Sequence, residues 1–357
     1  MGDCTATESF IWLGRTIDSQ EHHYSVHVSE LAGSPWPSVS VVMPVRNEEQ
    51  YLRSSVEAVL AQEYPGAVDV WISVAPSTDA TSSVVDELVN QHDNVFRVEN
   101  PAGITPAGLN VAIAASSGDV IVRVDGHVRL CAGYIQQAVK TLIDTGAANV
   151  GGQQLAVGST KFEKAVAAVM MSPVGSGGAT YRSGEESGPT DTVFLGVFQR
   201  SAGEQVGWFD ESLIRNQDYE LNIRLRDAGG MVWFDPRLVV EYEPRSSLRA
   251  VARQYFDYGR FKAQVLRMHS SSLRLRQLIP PVAMVAALLS VIIGWWVPIT
   301  WLVPVLYLTA IAVGVRGAVL TRLLALAIAP TMHFSWSTGL FVAAIQLFRR
   351  NYVRHER

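Results

Sequence analysis

The sequence predicts an α/β fold, a doubly wound and mostly parallel sheet, followed by a membrane-associated C-terminal third. Three observations lead to this prediction. Apolar runs of strand length alternate with helical patterns from residue 38 to residue 124. Eight Lys and Arg residues stand against one acid between residues 245 and 276. No charged residue occurs from 278 to 315, which is about twice the length that one membrane-spanning helix needs.

The strands and helices of the sheet domain can be predicted in chain order. The near-continuous apolar run 38–45 is typical of a strand that is buried on both faces. Leu52, Val56 and Val59 then recur at helical spacing. Further strands are predicted at 68–75, in "NVFRVEN" and at Val120–Val124, with helices after a cap at Ser77 or Asp79 and in "TPAGLNVAIAAS".

Polar side chains follow three of these strands, where each strand ends. They are Arg46 to Glu49, Ser77 to Asp79, and Asp125 to His127. Ligands of such sheets bind outside the carboxyl ends of the strands, so we expect these residues to form one site. No G-x-G-x-x-G sequence follows the first strand, which argues against a dinucleotide-dependent oxidoreductase.

The overall composition argues against other classes of protein. A formal net charge of −4 does not favour nucleic acid as a partner. The two cysteines, Cys4 and Cys131, predict neither a disulfide framework nor a zinc cluster, and they are typical of a reducing compartment. Residues 1–36 lack the pattern of a signal peptide. We interpret them as an N-terminal extension and expect the sheet domain to lie in the cytoplasm.

The C-terminal third predicts two or three crossings of a membrane. We expect spans at about 278–296 and 298–315, joined at "GWWVPIT", with a buried core hairpin as the alternative. A third apolar run covers 323–348 and contains His333, which we expect to be a polar side chain satisfied by its neighbours. A full crossing would place the basic tail, 349–357, outside, against the positive-inside tendency. A re-entrant segment broken at Pro330 and Gly339 would keep the tail inside, and the sequence leaves both arrangements open.

The segment 245–277 is predicted to be a basic amphipathic element next to the membrane. Its charges would face lipid phosphates, since Lys and Arg near a membrane surface are attracted to anionic lipids. Its apolar side chains would lie in the lipid interface. Those side chains are Tyr255, Phe256, Tyr258, Phe261, Val265 and Leu266.

Five motifs together resemble family 2 glycosyltransferases, which are inverting enzymes with the GT-A fold. The motifs are "VVMPVRNEE", "PSTDAT", the run from "NPAGITPAGLN" to "RVDGH", "FLGVFQRSAGEQVGWFDESL" and "NQDYELNIRLRDAGG". The resemblance covers about residues 38–265 and is greatest to membrane-anchored enzymes of exopolysaccharide assembly. It implies a catalytic domain at 37–244, followed by the juxtamembrane region 245–277 and the transmembrane region 278–348.

The resemblance also implies where a nucleotide-sugar donor would bind. Pro44, Arg46 and Glu48 match the positions that hold the base and ribose, and Asp79 belongs to the motif at the second strand end. Asp125 matches the first acid of the family's D-x-D motif, which meets the ribose or a divalent metal, Mg²⁺ or Mn²⁺. The second acid of that motif is replaced by His127, which is either a metal ligand, a phosphate partner or a turn residue.

Two further roles are implied by the resemblance. Asp218 matches the family's general base, with an N-cap as its structural alternative, while Gln217 replaces the acid that normally precedes it. "RQYFDYGRFK" loosely resembles a Q-x-x-R-W element. It points to Arg260, together with Arg253 or Lys262, as a contact for a diphosphate or an acceptor phosphate.

The segment 172–192 is rich in Gly and Ser and has no apolar period. We expect a mobile loop near the site, in which Arg182 either meets phosphate or belongs to a plain solvated linker.

The resemblance implies a membrane-bound inverting glycosyltransferase. It would move a sugar, UDP-linked by expectation, onto a lipid-linked or polysaccharide acceptor with β linkage. Two alternatives remain at the level of the sequence. One is a polyprenyl-phosphate glycosyltransferase, and the other is a catalytically inactive nucleotide-sugar-binding scaffold in the membrane.

Overall fold

The computed structural model describes residues 36–355, without the side chains of Ser183 and of residues 348–355. The extension predicted at 1–36 lies outside the described residues except for Trp36, and so do residues 356–357 of the basic tail.

Nine strands of the described chain form one sheet, in the order β3-β2-β1-β4-β8-β6-β9-β5, with β7 on β9. The first four strands along this order are parallel, as predicted. The strands are β1 Val39–Val45, β2 Val68–Val74, β3 Val95–Glu99, β4 Val120–Arg123, β5 Arg129–Leu130, β6 Asn149–Ala156, β7 Gly188–Pro189, β8 Phe194–Gln199 and β9 Val232–Tyr242.

The second half of the sheet corrects the prediction of a mostly parallel sheet. β8 lies antiparallel to both β4 and β6, and β5 and β7 lie antiparallel to β9. Only β6 and β9 pair in parallel here. The regular strand–helix alternation ends after β4, because β5 follows β4 after a short turn and β8 follows the two-residue strand β7 without a helix between them. The sheet is therefore mixed.

Helices cover both faces of the sheet, as a doubly wound fold requires. Val41 and Met43 of β1 belong to a core shared with Leu52 and Val56, whereas Val42 faces a second core with Leu109. The helices are α1 Leu52–Leu60, α2 Thr81–Gln91, α3 Thr105–Ala115, α4 Tyr134–Thr145, α5 Lys161–Met171, α6 Pro173–Ser176, α7 Thr180–Ser183, α8 Arg200–Val206, α9 Gln217–Asp227, α10 Leu248–Met268, α11 Ile279–Ile293, α12 Leu302–Gly314 and α13 Val319–His355.

The basic segment 245–277 is mostly the 21-residue helix α10, one face of which packs against protein. Tyr255 is buried in a cluster with residues of α5, α12 and α13. Phe261 and Val265 are buried with Leu213 and Ile223. For these three side chains the expected lipid-interface position is therefore wrong. An amphipathic pattern marks an apolar face but does not identify what covers it.

The apolar C-terminal helices keep much of their apolar surface exposed. Two of them, Leu275–Ile293 and Val319–Leu347, are long and apolar enough to cross a membrane, whereas Pro298–Gly314 is shorter. Trp295 and Trp296 between α11 and α12 are 79% and 78% exposed. This exposure contradicts a buried core hairpin, because the helices of such a hairpin would hide these side chains. Apolar helices with outward-facing aromatic and aliphatic groups favour membrane association.

The third apolar run forms one helix without a break. α13 continues for 37 residues through Pro330. Pro330 and Gly339 therefore do not interrupt it, and the re-entrant alternative loses its proposed break.

Candidate active site

A cleft of about 1390 Å³ opens at the carboxyl ends of β1 and β4 and extends to the apolar C-terminal helices. Pro44, Arg46, Glu48, Asp125, His127 and Asp218 line one end of it. Side chains of α11, α12 and α13 line the other end, among them Ile279, Tyr307 and Trp336. A polar pocket above the sheet is thus continuous with an apolar wall.

The loops after β1 and β2 are fastened to each other. The backbone amide of Asn47 donates to Oγ of Ser77 at 3.1 Å, and the amide of Thr78 donates to Oδ1 of Asn47 at 2.8 Å. Asn47 adopts a left-handed backbone (φ 56°), which asparagine tolerates better than most residues. These contacts show that the strand ends meet, as the sequence predicts.

Asp79 contributes to the contact between these two loops and does not line the cleft. Its Oδ1 accepts hydrogen bonds from the amide and the hydroxyl of Thr81, and its Oδ2 accepts one from the amide of Glu49 at 3.1 Å. These bonds lower the pKa of Asp79, the bond from the Thr81 hydroxyl most. The expected donor contact is therefore corrected: the carboxylate fastens two loops because neighbouring backbone donors satisfy it.

His127 pairs with Glu48 across the cleft, with Nδ1 and Oε1 2.8 Å apart. This hydrogen bond raises the pKa of His127, which burial alone would lower. The pairing requires a close approach of the backbone at Gly126, where an added Cβ would lie 3.0 Å from Cγ of Glu48. The glycine between Asp125 and His127 thus lets β4 end directly beside the β1 loop.

Arg123 holds both carboxylates that the resemblance singles out. Its Nε and Nη2 donate to Oδ1 of Asp125 at 3.1 and 2.9 Å, and its Nη1 donates to Oδ1 of Asp218. Burial would raise the pKa of Asp125, but the charges of Arg123 and His127 and the bond from Arg123 outweigh it and lower this pKa. One guanidinium therefore orients two acids that are 93 residues apart in the chain.

Asp218 is the second residue of α9 and is not its N-cap. Asn216 occupies the cap position, with a left-handed backbone (φ 62°) and no side-chain cap bond. Its Nδ2 donates instead to the backbone oxygen of Tyr258 at 3.2 Å, which fastens the start of α9 to α10. The capping alternative for Asp218 is therefore not supported. The neighbouring Glu220 is buried and paired with Arg224 and His269, as expected for a structural residue.

Arg123 is the residue of this site that the sequence reasoning missed. It stands in "VIVRV", a run that otherwise consists of buried aliphatic side chains, and it is 5% exposed. A buried cation almost always has a partner, so this position alone indicated that an acid must approach the end of β4.

The expected phosphate contacts on α10 are placed differently from the prediction. Arg260 is exposed and does not line the cleft; its guanidinium lies over the ring of Phe261, 5.5 Å from the centroid. Arg253 is also absent from the lining, whereas Lys262 contributes to it. Side chains two residues apart on an α-helix are rotated by about 200° and so point to nearly opposite sides. Lys262 can therefore face the cleft when Arg260 does not.

The residues present fit a divalent metal only in part. Within the described chain no three His, Cys, Asp or Glu side chains gather closely enough to hold a cation on their own. Asp125 supplies carboxylate oxygens of the type that Mg²⁺ and Mn²⁺ prefer, and the bonds from Arg123 end on its Oδ1. His127 is engaged by Glu48. A metal here would therefore need further oxygen ligands from a bound diphosphate.

The segment 172–192 contains the short elements α6, α7 and β7, and several of its residues line the cleft. Its Arg182 is 8% exposed, which contradicts the solvated-linker alternative.

Comparisons with known proteins show which family this chain belongs to. The family model "Glycosyl transferase family 2" matches residues 40–207. The succinoglycan biosynthesis protein ExoA of Rhizobium meliloti (strain 1021) is 31% identical over 320 residues, which cover 87% of this chain and 96% of that protein.

Two further proteins are similar to this chain, one in sequence and one in structure. A dolichyl N-acetyl-alpha-D-glucosaminyl phosphate 3-beta-D-2,3-diacetamido-2,3-dideoxy-beta-D-glucuronosyltransferase of Methanococcus voltae is 26% identical over 238 residues, 64% of this chain and 74% of the relative. The structure of the mannosyltransferase PcManGT from Pyrobaculum calidifontis, in complex with GDP-Man and Mn²⁺, superposes with a TM-score of 0.57. The match is 18% identical and covers 88% of this chain and 92% of that one, so it shows the fold alone.

Proposed function

The chain belongs to glycosyltransferase family 2, and from that premise we propose a membrane-bound inverting enzyme that uses a UDP-linked sugar. The donor binds at the cytoplasmic side, and the sugar passes with β linkage to a lipid-linked or polysaccharide acceptor.

One observation carries this proposal: Asp125 and Asp218 face a single cleft and are oriented by the same guanidinium. Inverting transfer needs a group that binds the donor on one side of the sugar and a base on the other side. Carboxylates from β4 and α9 that meet above one sheet edge supply both groups.

Asp218 accepts the proton of the attacking acceptor hydroxyl in this mechanism. Arg123 holds Oδ1 of this carboxylate, which fixes its direction in the cleft. Pro44 and Arg46 line the donor end, where Nη1 of Arg46 donates to the backbone oxygen of Gly103 at 3.2 Å. The Glu48–His127 pair closes the same end next to Asp125. The chain therefore orients donor and base before the acceptor arrives.

A divalent cation would neutralise the negative charge of the diphosphate that leaves the donor. Asp125 would hold it, and His127 would join as a second ligand when it is neutral and released from Glu48. The PcManGT structure contains GDP-Man and Mn²⁺, and its similar fold supports this assignment by analogy.

The acceptor end of the cleft supports a lipid-linked acceptor. Ile279, Ala283 and Ala310 of the apolar helices line the same cleft as Asp218. An acceptor with an apolar chain can therefore reach the base while its lipid stays against these helices. The name of the Methanococcus voltae relative, which specifies a dolichyl phosphate-linked sugar as acceptor and a β linkage, agrees with this acceptor class.

The test uses the full chain in lipid nanodiscs with UDP- and GDP-sugars, with and without Mn²⁺, and measures the release of nucleoside diphosphate and of labelled lipid product. We expect metal-dependent release from a UDP-sugar when a lipid-linked acceptor is present. Binding of UDP-sugars by calorimetry without any turnover would select the inactive scaffold instead. Release from GDP-sugars alone would reject the UDP assignment.

A further inference from the structure

Arg182 is a buried cation that lacks an ionic partner within the part of the chain that the structure describes. Its Nη1 donates to the hydroxyl of Tyr255 at 3.2 Å, and its Nε has no hydrogen-bond partner. The guanidinium also lies over the ring of Tyr181, 5.6 Å from the centroid. Burying a charge without a counter-charge is costly, so this arrangement indicates a ligand that supplies the missing anion.

Lys262 lies in the same cleft and is 3% exposed. Its Nζ donates to the backbone oxygen of Ser272 at 3.0 Å and lies 4.3 Å from the ring centroid of Tyr219. These contacts are with neutral groups, whereas Arg123 in the same cleft is bound to two carboxylates. The cleft thus contains an arginine that two carboxylates neutralise, Arg123, and a buried arginine without an ion pair among the described residues, Arg182.

Arg182 shares the cleft with the apolar wall. Tyr307 of α12 and Ile279 and Ala283 of α11 line the cleft together with Arg182. The cleft therefore combines the carboxylate of Asp218, buried cations and apolar surface. A sugar joined through phosphate to a lipid has a polar, an anionic and an apolar part that match these three surfaces.

We propose that Arg182, assisted by Lys262, binds the phosphate that joins the acceptor sugar to its lipid. This inference rests on the proposed lipid-linked acceptor and deepens it, since it assigns the anionic part of that acceptor to a specific residue. An arginine offers a fork of N–H donors that matches phosphate oxygens, and its unused Nε is one of them.

The test compares Arg182→Gln and Arg182→Lys with the unaltered enzyme on two acceptors that carry the same sugar. One acceptor is linked to its lipid through diphosphate, and the other is a neutral lipid glycoside. We expect Arg182→Gln to raise KM for the diphosphate acceptor about 10- to 100-fold, the loss typical of a charge-assisted hydrogen bond. KM for the neutral acceptor and the Kd for UDP should stay within about twofold, and the Lys variant should recover part of the loss.

A second measurement on the unaltered enzyme keeps the inference testable if the variants fail to fold. A short isoprenyl diphosphate should compete with the diphosphate acceptor and not with the donor, while inorganic pyrophosphate should compete at least tenfold more weakly. Equal competition by both anions would point to a free phosphate site. Competition with the donor, or an equal rise in KM for both acceptors, would overturn the inference. Absence of turnover in the unaltered enzyme would instead reject the proposed function.

Discussion

The two ends of the cleft differ in how their charges are balanced. At the donor end, Arg123 is bound to Asp125 and Asp218, and His127 is bound to Glu48. At the membrane end, Arg182 donates to the hydroxyl of Tyr255 and has no ion pair among the described residues. At the donor end the two acids therefore have fixed directions before any ligand binds, although the exposed Arg46 beside them donates only to a backbone oxygen. Under our proposal the charge of Arg182 is neutralised only when an anionic acceptor binds.

The largest effect should follow the loss of the proposed base. Asp218→Asn removes the carboxylate that we propose to accept the acceptor proton and should lower kcat about 10²- to 10⁴-fold, with UDP affinity nearly unchanged. The measurement is the rate of transfer to a lipid-linked sugar. Asp227→Asn is the matched control, because Asp227 is exposed at the other end of α9. Full transfer activity in Asp218→Asn would contradict the base, and activity kept only toward a polyprenyl phosphate would select that rival reaction.

Balance at the donor end can be tested through stability. Arg123→Gln leaves two carboxylates without their cation and should lower the free energy of unfolding by about 2–3 kcal/mol, less than for a fully buried pair because both acids are partly exposed. Arg97→Gln is the control, since Arg97 also pairs with two acids, Asp86 and Glu99, but at the surface, where about 1 kcal/mol or less is expected. Chemical unfolding in detergent measures both. Equal losses would mean that the donor end is no more tightly balanced than the surface.

The membrane end depends on the contact between α10 and α13. An added Cβ at Gly339 would lie 2.1 Å from the backbone oxygen of Phe256. Gly339→Ala should therefore separate the helices, cost about 1–3 kcal/mol and raise KM for the lipid acceptor more than KM for the donor. Gly188→Ala is the control, because an added Cβ there meets nothing within 4 Å. A change in donor KM alone would show that the two ends are not separable in this way.

The smallest effect concerns pH. Burial lowers the pKa of Lys262 to about 8. The charges of Arg274 and Arg276 lower this pKa further, whereas the charge of Asp191 raises it. Lys262 should therefore lose its charge between pH 7 and pH 9, and KM for the phosphate-bearing acceptor should rise a few-fold. Lys262→Met should have a flat KM over this range. An unchanged rise in that variant would assign it to another group.

The lowered pKa of Lys262 also affects stability. A rise in pH that weakens binding of the acceptor should increase the stability of the fold. Because the pKa of Lys262 is lower in the folded chain than its usual 10.5, unfolding takes up a proton between pH 8 and 10.5. The contribution of this lysine to stability should therefore increase as the pH rises through that window. Unfolding midpoints at pH 8 and 10, compared with those of Lys262→Met, measure it.

The parallel half of the sheet could be predicted from the sequence because its signals are local. Val39–Val45 and Val68–Val74 are apolar runs with turn residues at both ends, and buried parallel strands have this pattern. β6 lacks such a run, since its sequence is NVGGQQLA. Its pairing with β8 joins distant segments with a shift in register. The order of strands beyond β4 depends on these long-range contacts.

The site shows the same limit. Asp125 and Asp218 were identified by their motifs, but the arginine that joins them was not, because residues 123 and 218 lack any local relation. Asp79 has the motif of a ligand-binding residue and serves to fasten two loops. A motif gives residue type and order, whereas the choice between ligand contact and structural contact is made by the backbone donors nearby.

The close approach of α10 and α13 has a mechanical consequence. Gly259 and Gly339 let the two backbones touch, and an added Cβ at Gly259 would lie 1.9 Å from the backbone oxygen of Trp336. Tyr255 and Lys262 stand on α10 and line the cleft, so we expect a tilt of α13 to displace these two side chains. In the proposed membrane-bound enzyme, the thickness of the bilayer would then influence the tilt of α13 and, through it, the geometry of the cleft.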